Sequence, residues 1–387
     1  HPIFKPLLEN SRVSKLLGTY VNYFKSALYN DGKIRTDWNQ TGESKGGTAS
    51  GRLTSDLMVL PKGSKAHDLY QPRQCIYSPH DDVYILAVDA DQIELRWMAW
   101  VCQEKTLIEE LTRPGGDVHR ATASKIYKKS FDEVTSSERN IGKVVNFGTA
   151  YGAMAKALQT QVYQFTGIKM SYEEANKVIE SLRGEYTQLE KTKKKIINQT
   201  IMNGYAENYV GRRRYFREIS SSDWYKSSMD QRGCFNHVIQ AGASDFMKSI
   251  LVKLGEYCDW SLKNWYPIML VHDEIVFYVQ QGHINEVMDA IEQAKREVPL
   301  PEGSNPDFFP LSAKIGKNYS ELEKLTAWKE KNNQIIEEAA ISYSNVKLVR
   351  WDEISANHPE FFAPDGVHLI ENGSDVYVAA ILEALKN

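Results

Sequence analysis

The chain lacks most of the features that would classify it at a glance. Its four cysteines, Cys75, Cys102, Cys234 and Cys258, show no CxxC spacing. That excludes a zinc ribbon or a disulfide framework and fits reduced thiols. No apolar run approaches the ~20 residues of a membrane span, and no signal-peptide pattern is present. The expectation is a cytoplasmic chain with no membrane partner. Net charge is only −3, so any polyanionic partner has to be recognised by local patches. With 387 residues, 42% hydrophobic and 25% charged, the chain is long enough for a sizeable core and two or three domains. It begins at His1 rather than Met, as a fragment or processed product would.

The stretch Val83–Trp97, VYILAVDADQIELRW, organises the rest. Val83, Ile85, Leu86 and Val88 have the composition of a buried strand, and the run stops at Asp89. Gln92–Val101 then follows helical spacing. A carboxylate at the end of a buried strand is costly unless it is solvated, paired or bound to a metal. A second such site is Ile268–Val279, IMLVHDEIVFYV, where two apolar runs flank His272, Asp273 and Glu274. This pattern predicts a β-hairpin with acids at its turn. A shared sheet would bring Asp89 and Asp273 together, where they repel unless a proton or a divalent cation lies between them. Mg²⁺ suits such a pair, because it takes one or two carboxylates and completes its shell with substrate phosphates and water. Two such ions are the arrangement that supports in-line phosphoryl transfer. The plain alternative is a pair of unrelated solvated acids.

The most specific signal is Thr135–Gly152, TSSERNIGKVVNFGTAYG. Thr135 and Glu138 fit a capping box, so a helix starts there. Arg139, Lys143, Phe147 and Tyr151 follow at intervals of four and share one helix face. Cations in the first turns oppose the helix dipole, a conflict that an anion docking there resolves. Two aromatic rings farther along the face suit a base and sugar. Gly142, Gly148 and Gly152 weaken the helix and suggest close approach of something flat. Farther on, Arg232, Asn236 and Gln240 also step by four, within a long helix predicted over Ser228–Leu251. Asn and Gln suit the nearly sequence-blind minor groove.

At these residues the chain resembles the family A DNA polymerases. DADQIELR resembles the first catalytic motif of that family and VHDEIVF the third, with R-x3-K-x3-F-G-x2-Y-G between them resembling its nucleotide-binding fingers helix. The resemblance covers roughly residues 5–325. It implies an α+β right-hand fold with an antiparallel-sheet palm and helical fingers, with most of the thumb absent. The implied boundaries are 1–38 for a thumb-base helix and linker, 39–99 and 228–325 for the two parts of the palm, and 100–227 for the fingers. The helical stripe over residues 5–27 is then the buried face of the helix entering the palm.

The resemblance also implies roles. Asp89 and Asp273 would hold two Mg²⁺ ions, with Glu274 supporting them. His119, in Asp117-Val118-His119-Arg120, would approach the β-phosphate of a deoxynucleoside triphosphate bound by Arg139 and Lys143, Lys143 also acting in catalysis. Phe147 and Tyr151 would pack on the sugar and nascent pair, beside Gln92, and Glu94 would exclude a 2′-hydroxyl. Primer–template DNA would meet Arg52, in Thr48-Ala-Ser-Gly-Arg-Leu-Thr-Ser55, together with Arg212, Arg232, Asn236, Gln240 and His272. Asp91 departs from the family, which usually has Ser there, and adds charge beside Asp89. The implied activity is template-directed addition of nucleotides to a primer 3′-hydroxyl. A catalytically weak DNA-binding remnant is the alternative.

Residues 326–387 change character and resemble the C-terminal end of SGNH/GDSL-type esterases and acetyltransferases, a partial α/β piece. Asp365 and His368 would be two members of its triad. The GDS block that carries the nucleophile in that family is not found in this chain, so ester hydrolysis is not expected.

Overall fold

The structure is a computed structural model. It describes residues 3–40, 47–60, 72–78, 80–152, 154–260, 264–325, 337, 347, 349–355, 358–361 and 371–386. The chain divides into two compact units, His1–Leu322 and Glu323–Asn387.

The first unit is built on an antiparallel sheet. Strand β1 (Val83–Ala90) lies between β5 (Glu274–Gln280) and β6 (Leu311–Gly316), and β4 (Trp265–Val271) pairs with β5. Successive β1 side chains point to opposite faces. Ile85 and Ala87 pack with Tyr20, Leu57 and Met269, while Leu86 and Val88, facing the other way, are equally buried. Cover on both faces is why β1 reads as a continuous apolar run rather than an alternating one.

Helix α1 (Phe4–Lys15), a π-helical turn at Leu16–Val21 and α2 (Asn22–Ala27) form the first arm. The stripe predicted to be buried there is buried only in part. Tyr20 packs into the core under the sheet, but Leu7, Leu8 and Leu17 are more than half exposed. Among the described residues nothing covers that end of the stripe, which corrects the expectation.

Helices α3 (Ile93–Cys102), α4 (Lys105–Thr112), α5 (Val118–Tyr127), α6 (Ser136–Ala150), α7 (Ala155–Thr166), α8 (Tyr172–Glu185) and α9 (Thr187–Asn203) follow β1. A small hairpin, β2 (Tyr205–Glu207) and β3 (Arg213–Tyr215), leads to α10 (Trp224–Tyr257), and α11 (Ile284–Glu297) follows β5. Asp223 caps α10 by accepting from the Tyr225 and Lys226 amides, so this helix starts a turn earlier than its apolar pattern suggested.

The α3–α10 contact positions the site. A Cβ at Gly242 of α10 would stand 2.0 Å from Trp97 Nε1. Glycine there lets α10 approach α3, and Trp97 fills the junction against the Tyr209, Phe246 and Phe309 rings at 4.9, 5.9 and 5.1 Å. With α3 fixed behind the sheet, its first turn lies next to the end of β1.

In the second unit the described residues include a helical turn at Trp351–Ile354 and a helix at Glu371–Lys386. The Trp351 ring stacks on Phe361 at 6.1 Å and meets Tyr377 edge-on at 4.9 Å. Asp365 and His368 lie outside the described residues.

Candidate active site

The predicted hairpin forms, with Val271 paired to Glu274 across a two-residue loop of His272 and Asp273. His272 adopts φ +55°, the sign that tight hairpin turns favour at their first central residue and that costs a non-glycine residue some strain. The Ala90 amide donates to the Asp273 carbonyl at 3.0 Å, and Asp89 pairs with Glu274 in the β1–β5 register. The sheet therefore brings Asp89, Asp273 and Glu274 together.

Asp273 Oδ1 is buried and accepts no hydrogen bond among the described residues; Arg52 Nη2 lies 3.9 Å from it. Burial pushes the Asp273 carboxyl up to about 6, the Arg52 guanidinium opposing this and the Glu94 and Asp89 charges adding to it. A buried carboxylate oxygen with no donor is what a cation would satisfy. Among the described residues no cluster of three or more His, Cys, Asp or Glu side chains is placed to hold a metal ion. A pair of carboxylates is nonetheless the donor set Mg²⁺ accepts when phosphates and water complete its shell. The residues fit the ion on that basis. Glu274 Oε1 accepts from Tyr319 Oη at 2.6 Å. Asp91 accepts from Ser312 Oγ on β6 at 2.8 Å, which fixes the unexpected charge against the neighbouring strand.

Glu94, in the first turn of α3, accepts from both Arg52 and Tyr151. Burial, with Glu94 next to it, raises the Tyr151 hydroxyl above its usual range, so it stays a donor. Arg52, expected to face DNA, is thus directed in this state into the acidic cluster. Gln92 precedes the helix with φ +52°, and its Oε1 is buried with no partner among the described residues.

The capping box of α6 is present: the Thr135 amide donates to Glu138 Oε2 at 2.9 Å, and the Glu138 amide to Thr135 Oγ1 at 3.3 Å. Arg139 on this helix pairs with Asp117, which also caps α5 by accepting from the His119 and Arg120 amides at 3.0 Å. His119 is 3% exposed, and its Nδ1 lies 3.3 Å from Asn146 Nδ2. Burial, with Arg139 adding, lowers the imidazole to about 4. It is neutral at pH 7. Lys143 is exposed and makes no salt bridge among the described residues. Phe147 belongs to the same helix, but its side chain lies outside the described residues. Gly142 needs a correction. A Cβ there would stand 2.1 Å from the His119 carbonyl, so this glycine admits α5 rather than a ligand. Asn146 was missed, although a lone amide amid Ile141, Val144 and Val145 was a usable signal.

On α10, Arg232 donates to Ser228 Oγ at 2.6 Å, Gln240 hydrogen-bonds Tyr151, and Asn236 Oδ1 is buried with no partner among the described residues. Arg212 differs from expectation. Its Nε and Nη2 donate to Asp245 at 2.7 and 2.8 Å, so its fork is taken by a buried carboxylate rather than turned to a phosphate.

Comparison with known proteins bears on the family and fold of this unit. The chain is 30% identical over 319 residues to a thermostable DNA polymerase I of Thermus caldophilus, covering 82% of this chain and 36% of that one. It is 28% identical over 319 residues to DNA polymerase I of Mycobacterium tuberculosis (strain ATCC 25618 / H37Rv), covering 82% and 33%. The POL domain of Pol1 from M. smegmatis, solved in complex with DNA primer-template and dNTP, superimposes with a TM-score of 0.70 at 26% identity, covering 83% of this chain and 54% of that one. The chain thus spans about a third of the length of the curated relatives it matches. Residues 1–320 match the family model of DNA polymerase family A, and the chain belongs to that family.

Proposed function

We infer that the chain extends a primer 3′-hydroxyl on a DNA template, using deoxynucleoside triphosphates and releasing pyrophosphate. The observation that carries the reading is the junction of Asp89 and Asp273 at the sheet end, with a buried Asp273 oxygen lacking a donor. Asp89 and Asp273 would hold Mg²⁺, two ions in all. Bound there, the metal would supply charge to the attacking and leaving oxygens.

The chain's own residues do the rest by positioning and electrostatics. Arg139 in the first turn of α6 and Lys143 a turn farther along supply cations, and the helix N-terminus also favours an anion. Reaching the triphosphate requires Arg139 to exchange Asp117 for phosphate. Neutral His119 offers a hydrogen bond beside it. Glu94, held from two sides by Arg52 and Tyr151, presents a fixed wall to the sugar, and a rigid wall discriminates better than a mobile one. Phe147 and Tyr151 are assigned to the sugar and nascent pair, with Gln92 beside them. Arg232, Asn236, Gln240 and His272 are assigned to the primer–template. The place of action is the compartment that holds replicating DNA. Among the described residues no helix is long and apolar enough to cross a membrane.

The deciding experiment is Mg²⁺-dependent extension of a labelled primer on a DNA template. Asp89→Asn and Asp273→Asn should each abolish extension while primer–template affinity persists. Near-normal turnover in either variant would remove the metal assignment, and no extension by the unaltered chain would remove the activity.

A further inference from the structure

One charged cluster lies behind the site, between α10 and the turn joining β2 to β3. Asp245 is 5% exposed and accepts from Arg212 at 2.7 and 2.8 Å, Asn208 Nδ2 at 2.8 Å and Lys248 Nζ at 2.7 Å. A buried carboxylate with this many donors is well compensated. Lys248 Nζ has a second partner, the Gly51 carbonyl, at 2.8 Å. It therefore ties α10 to a loop nearly two hundred residues earlier in the chain.

That loop is closed on itself and has little freedom at the tie. Thr48 Oγ1 donates to the Arg52 carbonyl at 3.0 Å, and the Gly51 amide to the Thr48 carbonyl at 3.3 Å. Gly51 has φ +77°, and a Cβ there would stand 2.8 Å from Arg212 Nη1. Both the conformation and the space call for glycine. The next residue is Arg52, whose guanidinium meets Glu94 and lies 3.9 Å from Asp273 Oδ1.

We propose that the Asp245–Lys248 pair is a positioning device which, through the Gly51 carbonyl, sets the Arg52 guanidinium against the catalytic carboxylates. Asp245 fixes the Lys248 ammonium, Lys248 fixes the Gly51 carbonyl, and the closed loop fixes where the Arg52 side chain departs. Arg212 packs against Gly51 and completes the clamp. Asp245 and Lys248 act here through protein partners, Arg212, Asn208 and the Gly51 carbonyl. This inference rests on the polymerase reading for its effect on turnover, but the tie itself is independent of it.

The test is a cycle of Lys248→Met, Arg52→Ala and the double variant, with Lys248→Arg as the conservative control. Lys248→Met leaves Asp245 with Arg212 and Asn208, which favours retention of the fold. Lys248→Met should lower kcat for extension by about tenfold, less than the ~10²-fold that a full 1 Å misplacement can cost, and Lys248→Arg should recover most of it. The double variant should be no slower than Arg52→Ala alone. Amide exchange over residues 48–54 should quicken in Lys248→Met while that of residues 83–90 stays put. Losses that multiply in the double variant, or unchanged exchange over 48–54, would overturn the proposal. If the unaltered chain extends no primer, the activity reading fails and the exchange measurement still decides the tie.

Discussion

Tyr319 Oη donates to Glu274 Oε1 at 2.6 Å, and Glu274 is the residue opposite Asp89 in the strand pairing. The tyrosine is 3% exposed, with the Arg73 guanidinium 4.6 Å from its ring centre and Arg73 Nε donating to the Leu60 carbonyl at 3.1 Å. This chain of contacts fixes the Glu274 carboxylate against Tyr319. A hydrogen bond to a charged acceptor contributes about 1.5–3 kcal/mol. Tyr319→Phe should therefore lower stability by roughly that amount. Because Glu274 then loses the hydrogen bond that fixes its carboxylate, half-maximal extension should need a several-fold different Mg²⁺ concentration. Thermal melts and a Mg²⁺ titration check both, and an unchanged titration would show that Glu274 acts independently of the metal.

The sugar is the subject of the second prediction. Glu94 is fixed by Arg52 and Tyr151, so its removal takes a held carboxylate out of the site. Glu94→Ala should raise the use of ribonucleotides relative to deoxynucleotides by at least about tenfold, or 1.4 kcal/mol of barrier. Phe147→Tyr should favour dideoxynucleotides, the added hydroxyl replacing the missing 3′-OH. Competition assays with paired nucleotides report the ratios directly. If both ratios stay at the starting value, the nucleotide does not lie along this face of α6.

The third prediction follows from His119. Burial lowers its folded-state value to about 4 against an ordinary 6.5, so between those values the unfolded chain binds more protons. Stability then rises with pH through this window: the contribution is complete above 6.5 and lost as pH falls towards 4. The gap corresponds to about 3 kcal/mol. Denaturant unfolding of the unaltered chain and of His119→Gln at several pH values isolates the effect. The advantage of the unaltered chain should shrink as pH falls from 6.5 to 4. A constant difference would mean that the imidazole gains access to water.

Local pattern carried the fold a long way, because the features that determine β1, the β4–β5 hairpin and α6 are all contiguous. The β-branched run ending at Asp89, the two apolar runs around His272 and the Thr135–Glu138 box each determine their element from neighbouring residues alone. What stayed hidden is pairing over long separations. Arg212 and Asp245 are 33 positions apart, and nothing in the run Gly211-Arg212-Arg213-Arg214 distinguishes an arginine that meets a buried acid from one that meets a phosphate. Arg139 and Asp117 pose the same problem, as does Gly142, whose missing side chain serves a helix on the far side of a loop. The exposed end of the α1 stripe shows the converse case, since periodicity marks a face and not what covers it.

The last prediction concerns the grip on DNA. Net charge is −3, and two expected DNA-contacting cations, Arg52 and Arg212, are already engaged by Glu94 and Asp245, as is the neighbouring Arg213 by Glu207. The free positive surface is carried by residues such as Lys191, Lys194 and Lys195 on the exposed side of α9. Each phosphate neutralised contributes about −0.9 to the slope of log K against log salt on duplex DNA. The slope should therefore be shallow, worth only a few phosphates. Lys194→Ala should reduce it by about one. Arg212→Ala should leave it unchanged and instead lower stability by roughly 2 kcal/mol, because Asp245 loses two charged donors while staying buried. Binding titrations between low and moderate salt, paired with melts, separate the two kinds of arginine and lysine. A fall in slope with Arg212→Ala and no change in melting would mean that Arg212 leaves Asp245 for the DNA backbone when the complex forms.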